Sequence, residues 1–170
     1  MSAVIRESTG SRRRFAIAYL AAMAIFLSIA EAVIPRPLPW MRIGLANAVT
    51  LFAFGVLRPR EVLVMVMLRV TAASLLLGTF LSAGFLLSVV AALSSFAVMY
   101  GMYAALGRWF SLVGISIAGA AASNAAQLAV VNALFIGSSL SYYFLPFLFL
   151  FALFGGTVTG LFGRFLAENL

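Results

Sequence analysis

The sequence predicts an all-α fold, a polytopic integral membrane bundle of about six transmembrane helices, and three observations carry that expectation. Hydrophobic residues make up 65% of the 170-residue chain and charged residues 9%, against about 45–50% and about 25% in an ordinary soluble domain. The apolar stretches suit a hydrocarbon core of about 30 Å, which takes about 20 residues per helix. The gaps between them are short and mostly carry arginine.

On that measure helices are expected at 14–34, 43–57, 61–79, 83–106, 111–136 and 143–164. The first opens at Phe15, behind Arg12, Arg13 and Arg14, and stops at Pro35, which cannot continue a helix. The second is short, which implies a thin crossing or a start inside the Pro-rich loop before it. The third starts at Glu61, past Arg58 and Arg60, and holds Arg69 within it. Arg108 separates the fourth from the fifth, and Arg164 closes the sixth.

With the N-terminus in the cytoplasm, Arg6, Arg12, Arg13, Arg14, Arg58, Arg60, Arg108 and Arg164 share that side, and only Arg36 and Arg42 fall outside. Eight against two is a positive-inside bias, and an even number of crossings returns the C-terminus to the cytoplasm. The expected organisation is a basic cytoplasmic tail at 1–13, one transmembrane domain at 14–166 and a short cytoplasmic tail at 167–170. Arg12 to Arg14, an apolar run and Ala30-Glu31-Ala32 imitate a cleaved leader, but more membrane sequence follows, so the first segment is read as a retained helix.

The chain has no Cys, His, Lys or Asp. Thiolate and imidazole metal sites and Cys or His nucleophiles are therefore closed. Glu7, Glu31, Glu61 and Glu168 lie far apart, which argues against a two-carboxylate acid/base pair. No catalytic residue, metal site or cofactor is expected. The net charge of +7 is concentrated at segment ends, where it encodes topology rather than a nucleic-acid footprint.

The residues that cost most to bury define the candidate site. Arg69 lies eight residues from Glu61, about 12 Å along a helix and so near mid-membrane, where a charge normally faces a partner or a cavity. Glu31, toward the outer end of the first helix, is the acid in a comparable position, and Arg42 is placed to cap the same vestibule. A structural Glu31–Arg69 or Glu31–Arg42 pair and a direct ligand role are both open readings. On the fifth helix Ser116, Ser123, Asn124 and Gln127 fall within roughly one face together with Ala120. Helix packing accounts for the hydroxyls and Ala120, whereas two adjacent amides offer donors and acceptors that apolar neighbours cannot satisfy. The stiff segment Pro35-Arg36-Pro37-Leu38-Pro39-Trp40 reads as a rigid connector or as a lid over an outward-facing pocket. Ala18 and Ala22 form a small-xxx-small pair, and Gly155, Gly156 and Gly160 form a second small-residue region.

The run from Glu31 through Pro39, Arg42-Ile-Gly-Leu-Ala-Asn47-Ala-Val-Thr50-Leu51, Leu68-Arg69-Val70, Gly78-Thr79-Phe80 and Asn124-Ala-Ala-Gln127 resembles the heptaprenyl diphosphate synthase component I family, also called the Gx transporter family. That family looks related to the substrate-binding S components of energy-coupling factor (ECF) transporters. The resemblance covers about 14–166 and implies a six-helix bundle in a bacterial inner membrane that captures a small molecule from outside. Its partners would be a T component and two ATPases, with Ala18 and Ala22 docking to the T component. It implies a pocket in the outer half built from the first loop and the later helices, and the residues expected to form it are Glu31, Arg42, Asn47, Arg69, Asn124 and Gln127. The family commonly has His where this chain has Ser123 and Lys where it has Arg42, which removes a titratable group and substitutes a planar fork suited to carboxylate or phosphate.

Prenyl chain elongation uses paired aspartate-rich motifs to hold magnesium and diphosphate. A chain without aspartate is not a catalytic subunit of that kind. The leading expectation is an S-component-like capture protein. The rivals are a membrane accessory subunit in heptaprenyl diphosphate or isoprenoid quinone synthesis and a self-sufficient dimeric carrier.

Overall fold

The computed structural model of the protein describes residues 2–33, 44–106, 109–136, 143 and 145–169. Six α-helices carry the described chain: α1 (Ser2–Val33), α2 (Leu45–Val56), α3 (Pro59–Leu76), α4 (Ala83–Leu106), α5 (Leu112–Val131) and α6 (Leu145–Asn169). A π-helical turn, Asn132–Ile136, extends α5. No strand occurs among the described residues.

Local chemistry explains where the observed boundaries depart from the expected ones. α1 runs back through the basic segment, so its 32 residues span about 48 Å and carry the arginines beyond the apolar stretch Phe15–Ala32. α3 starts at Pro59, ahead of the expected residue 61, because proline's fixed φ suits the first helical position. The Glu61 carboxylate also accepts the Arg58 backbone N–H at 2.7 Å, occupying a donor at that terminus. α3 stops at Leu76 rather than residue 79 because Gly78 turns left-handed at φ 67°. The Gly78 N–H then donates to the Leu75 carbonyl at 3.2 Å and the Thr79 N–H to the Ser74 carbonyl at 2.9 Å, the two bonds of a Schellman cap. The Gly78-Thr79-Phe80 motif is therefore a helix stop. At α5, the Ser111 hydroxyl caps the helix by accepting the Gly114 N–H at 3.2 Å.

Four helices contain stretches long and apolar enough to cross a membrane: Phe15–Ala32, Ala83–Ala105, Leu112–Leu134 and Leu145–Phe165. α3 has 18 residues, about 27 Å, but its apolar run is interrupted by Arg69, which is buried against protein. α2 has only 12 residues, about 18 Å, less than the roughly 30 Å core. It tolerates that because it packs against all five other helices, and Ala46 through Leu51, Ala53 and Phe54 are buried.

The main core joins Leu20, Ala21 and Ala24 of α1, Val49, Leu51 and Phe54 of α2, and Val62, Met65 and Val66 of α3 to Met99 of α4 and Ile115 of α5. Large apolar side chains also cover the outside, including Phe15, Tyr19 and Phe26 on α1 and Leu150, Phe154 and Leu161 on α6. Contiguous apolar surface on this scale is a lipid-facing surface, since a soluble monomer exposes only small patches. Phe54 of α2 stacks on Tyr103 of α4 with centroids 5.7 Å apart.

Glycines set the seam between α5 and α6. A Cβ built on Gly156 would lie 2.5 Å from the Ile117 Cα, and one on Gly160 would lie 2.6 Å from the Val113 Cα. The small-residue region of the last helix thus brings two backbones into contact, as membrane helices require when packing rather than water drives association. Across the same seam the Ser116 and Thr159 hydroxyls hydrogen-bond at 2.6 Å.

Candidate functional site

Polar groups from five helices converge at the end of the bundle away from the basic N-terminus. They line a cavity of about 60 Å³ bounded by Ser28 and Glu31 of α1, Gly44 and Asn47 around the start of α2, Arg69 and Ser74 of α3, Thr79, Ser88 of α4 and Ser123 of α5. At about 10–15 Å³ per water, the space holds about four to six water positions.

Glu31, 5% exposed, sits at the C-terminal end of α1 and faces the first turn of α2. Its Oε1 accepts the Gly44 N–H at 2.8 Å and its Oε2 accepts the Leu45 N–H at 3.1 Å. Both carboxylate oxygens thereby bond donors that a helix leaves open at its N-terminus, where the dipole also favours negative charge. Gly44 adopts φ 84°, a left-handed conformation that glycine enters without penalty. Glu31 consequently closes a chain segment whose ends lie 13 residues apart. Arg42 and the segment 35–40 lie outside the described residues.

Glu31→Ala is expected to lower stability by about 2–3 kcal/mol, the scale of losing a helix cap with charge-assisted bonds. Thermal unfolding in detergent reads this, and Glu31→Gln, which keeps an acceptor, should lose less. A wild-type midpoint in Glu31→Ala would show that the cap contributes nothing.

Asn47 reaches in the other direction, its Nδ2 donating to the Ser95 Oγ of α4 at 3.1 Å, and Ser95 Oγ in turn approaches the Met99 Sδ at 3.2 Å. Arg69 is 6% exposed on the cavity wall and brings a guanidinium with five N–H donors. The hydroxyls beside it direct their protons to their own helices: Ser74 to the Thr71 carbonyl at 2.8 Å and Ser88 to the Gly84 carbonyl at 2.6 Å. A hydroxyl oxygen is an acceptor as well as a donor. The cavity therefore combines a fixed cation with hydroxyl acceptors, a set that fits an anionic or strongly accepting group with a hydroxyl or amine nearby.

The structure brings Glu31, Asn47 and Arg69 to one cavity, and Asn124 and Gln127 do not line it. Ser123 is the α5 residue that does. Gln127, 1% exposed, points its Nε2 back at the Ser123 carbonyl and hydroxyl, at 3.4 and 3.3 Å. Asn124 lines a second cavity of about 340 Å³ between α5 and α6. Ser28, Ser74, Ser88 and the Asn47 partner Ser95 were not singled out from sequence, and Thr79 entered only as part of the Gly78-Thr79-Phe80 motif. Single hydroxyls are common in membrane helices and satisfy themselves on the preceding turn, so composition gives them no distinguishing signal. Ala18 and Ala22, by contrast, are both exposed on α1 between the protruding rings of Phe15, Tyr19 and Phe26, leaving a shallow small-residue notch on the outer surface.

These features define an all-helical integral membrane protein with a polar cavity at one end of its bundle. The sequence model of one family, described as heptaprenyl diphosphate synthase component I, matches residues 20–166. The chain belongs to that family. Comparison with curated proteins gives no match, and neither does comparison with solved structures.

Proposed function

We propose that the protein is a membrane substrate-capture module, similar to an ECF S component, that binds a small anionic or amphipathic solute for uptake energised by a separate T component and ATPases. The observation that carries this reading is the polar cavity, whose wall combines buried Arg69 with Ser74, Ser88 and Ser123 at one end of a largely apolar bundle. A guanidinium on the wall of such a cavity offers a planar set of N–H donors suited to a solute's carboxylate or phosphate oxygens. Arg69 and Asn47 would contact the solute, Ser74, Ser88 and Ser123 would complete its hydrogen bonds, and Glu31 would hold the α2 terminus against it. Arg42, outside the described residues, is kept as a proposed solute contact on its charge alone. The bundle would lie in a bacterial inner membrane with both termini cytoplasmic and the cavity facing outward.

The exposed notch at Ala18 and Ala22 supports docking of a T component, because small residues admit close helix approach. Ala18→Leu with Ala22→Leu is expected to reduce copurification of a T component at least tenfold while solute affinity stays unchanged. Undiminished assembly would remove this face from the proposal.

A second reading has its own support, since the family is described as a component of heptaprenyl diphosphate synthase. In that reading the bundle is an accessory subunit that binds the other synthase component. Gentle purification of the tagged protein from its native membrane, with mass spectrometry of retained proteins and metabolites, separates the two. A T component with ATPases and a bound metabolite would support capture, whereas a soluble prenyl synthase without them would replace it with the accessory role.

A further inference from the structure

Groups of both charge signs border the polar cavity. Among its described lining residues the ionisable side chains are Glu31 of α1 and Arg69 of α3, 5% and 6% exposed. Their formal charges cancel. A solute with a net charge would leave that balance broken inside a largely apolar bundle, where charge is costly. A solute with one group of each sign keeps it.

The wall around Glu31 is rich in acceptors. Each Glu31 oxygen takes one backbone N–H, from Gly44 and from Leu45, whereas a carboxylate has about four acceptor sites. Ser28 also lines the cavity and lies three residues before Glu31, so the two are neighbours on α1. Its Oγ directs its single proton to the Ala24 carbonyl at 2.9 Å, as Ser74 Oγ does to the Thr71 carbonyl at 2.8 Å. What these hydroxyls then offer a solute is an acceptor. A protonated amine with more than one N–H is the group that matches a carboxylate beside hydroxyl oxygens, in both charge and donor count. Arg69 offers the reverse, a positive charge with N–H donors in a planar fork.

None of the described lining residues is aromatic, although the chain has 16 Phe, 5 Tyr and 2 Trp. The apolar part of the wall is aliphatic and mostly alanine. Aromatic faces are what stack on flat ring solutes and cage quaternary ammonium groups. The described wall provides for neither.

Resting on the capture reading, we propose that the solute is an aliphatic dipolar ion of the amino-acid type. Its carboxylate or phosphate is held by Arg69, and its primary or secondary ammonium by Glu31 and Ser28. Glu31 then has two tasks, closing the start of α2 and recognising the cationic end of the solute.

The test titrates the full-length protein in detergent at constant ionic strength and reads binding from the rise in thermal midpoint. The probes are glycine, β-alanine, 4-aminobutyrate, 5-aminovalerate and phosphoethanolamine, which vary the spacing of the charges and the kind of acid. Each is matched with an analogue lacking the amine and one lacking the acid, and glycine betaine, whose ammonium has no N–H, is a further control. At least one dipolar probe should bind at least tenfold more tightly than both of its analogues, and glycine betaine should bind no better than acetate. Glu31→Gln should lower that probe to the level of its acid analogue, and Arg69→Gln to the level of its amine analogue. A purely structural Glu31 would instead weaken probe and acid analogue alike, which overturns its assigned contact. An acid that binds as tightly as its dipolar parent overturns the dipolar assignment and leaves the capture reading standing. If no probe binds, the metabolite retained by protein purified from its native membrane decides. One with both an acid and an N–H ammonium sustains the assignment, and one lacking either overturns it. With neither a bound probe nor a retained metabolite, the assignment falls together with the capture reading.

Discussion

Arg69→Gln is expected to abolish solute binding while leaving the purified protein folded in detergent. The guanidinium is the cation on the cavity wall, and the neighbouring hydroxyls have directed their protons to their own helices. Each charge-assisted hydrogen bond contributes about 1.5–3 kcal/mol, so losing one should weaken binding of an anionic solute about 10- to 100-fold, and losing a bidentate pair should weaken it further. Arg69→Lys separates charge from shape, because it keeps the positive charge but not the planar fork. It should bind measurably, though well below the native chain. Binding can be read by calorimetry or by retention of the copurified metabolite. If Arg69→Gln unfolds instead, the arginine is a structural partner; if it binds like the native protein, the cavity is not where capture happens.

Gly156→Leu is expected to open the α5–α6 seam. The first added carbon already lies 2.5 Å from the Ile117 Cα and 2.9 Å from its backbone nitrogen, so the obstruction is main chain and cannot rotate away. The helices must separate, which would also part the Ser116–Thr159 hydrogen bond and shift α5, the helix that carries Ser123 to one cavity and Asn124 to the other. Overpacking a well-filled interior costs about 1–3 kcal/mol in ordinary cases, and a backbone collision belongs at or above the top of that range. Gly101→Leu supplies the control, since a Cβ there meets nothing within 4 Å. A large drop in the thermal midpoint is expected for Gly156→Leu and little change for Gly101→Leu. Equal midpoints would show that close approach at Gly156 does not hold the bundle together.

Hydropathy and charge placed all six helices, because bilayer thickness sets span length and each arginine costs free energy in hydrocarbon wherever it falls. The polar positions were visible for the same reason. Glu31, Arg69, Asn124 and Gln127 stand out against an apolar background without any knowledge of the fold, and the family follows from the order of such residues along the chain. Helix ends at Pro59, Gly78 and Ser111 rest on chemistry within a few residues of each boundary, although their placement came from the structure.

Grouping in space is a different kind of information. Periodicity put Asn124 and Ser123 on roughly one polar face, yet consecutive residues on a helix diverge by about 100°, and here that separates two cavities. Which side of α5 each one meets depends on where α4 and α6 lie, which depends in turn on the close backbone approach at Gly156 and Gly160. Charge alone offers Glu31 a pairing with Arg69 or Arg42, and only packing reveals that the Gly44 and Leu45 amides also reach its carboxylate. The short α2 is accommodated by five neighbouring helices rather than by its own length. Solvation cost and local backbone preference are properties of a residue and its near neighbours, so they can be read along the chain. A cavity exists only where distant segments leave space between them, and long-range packing sets that space.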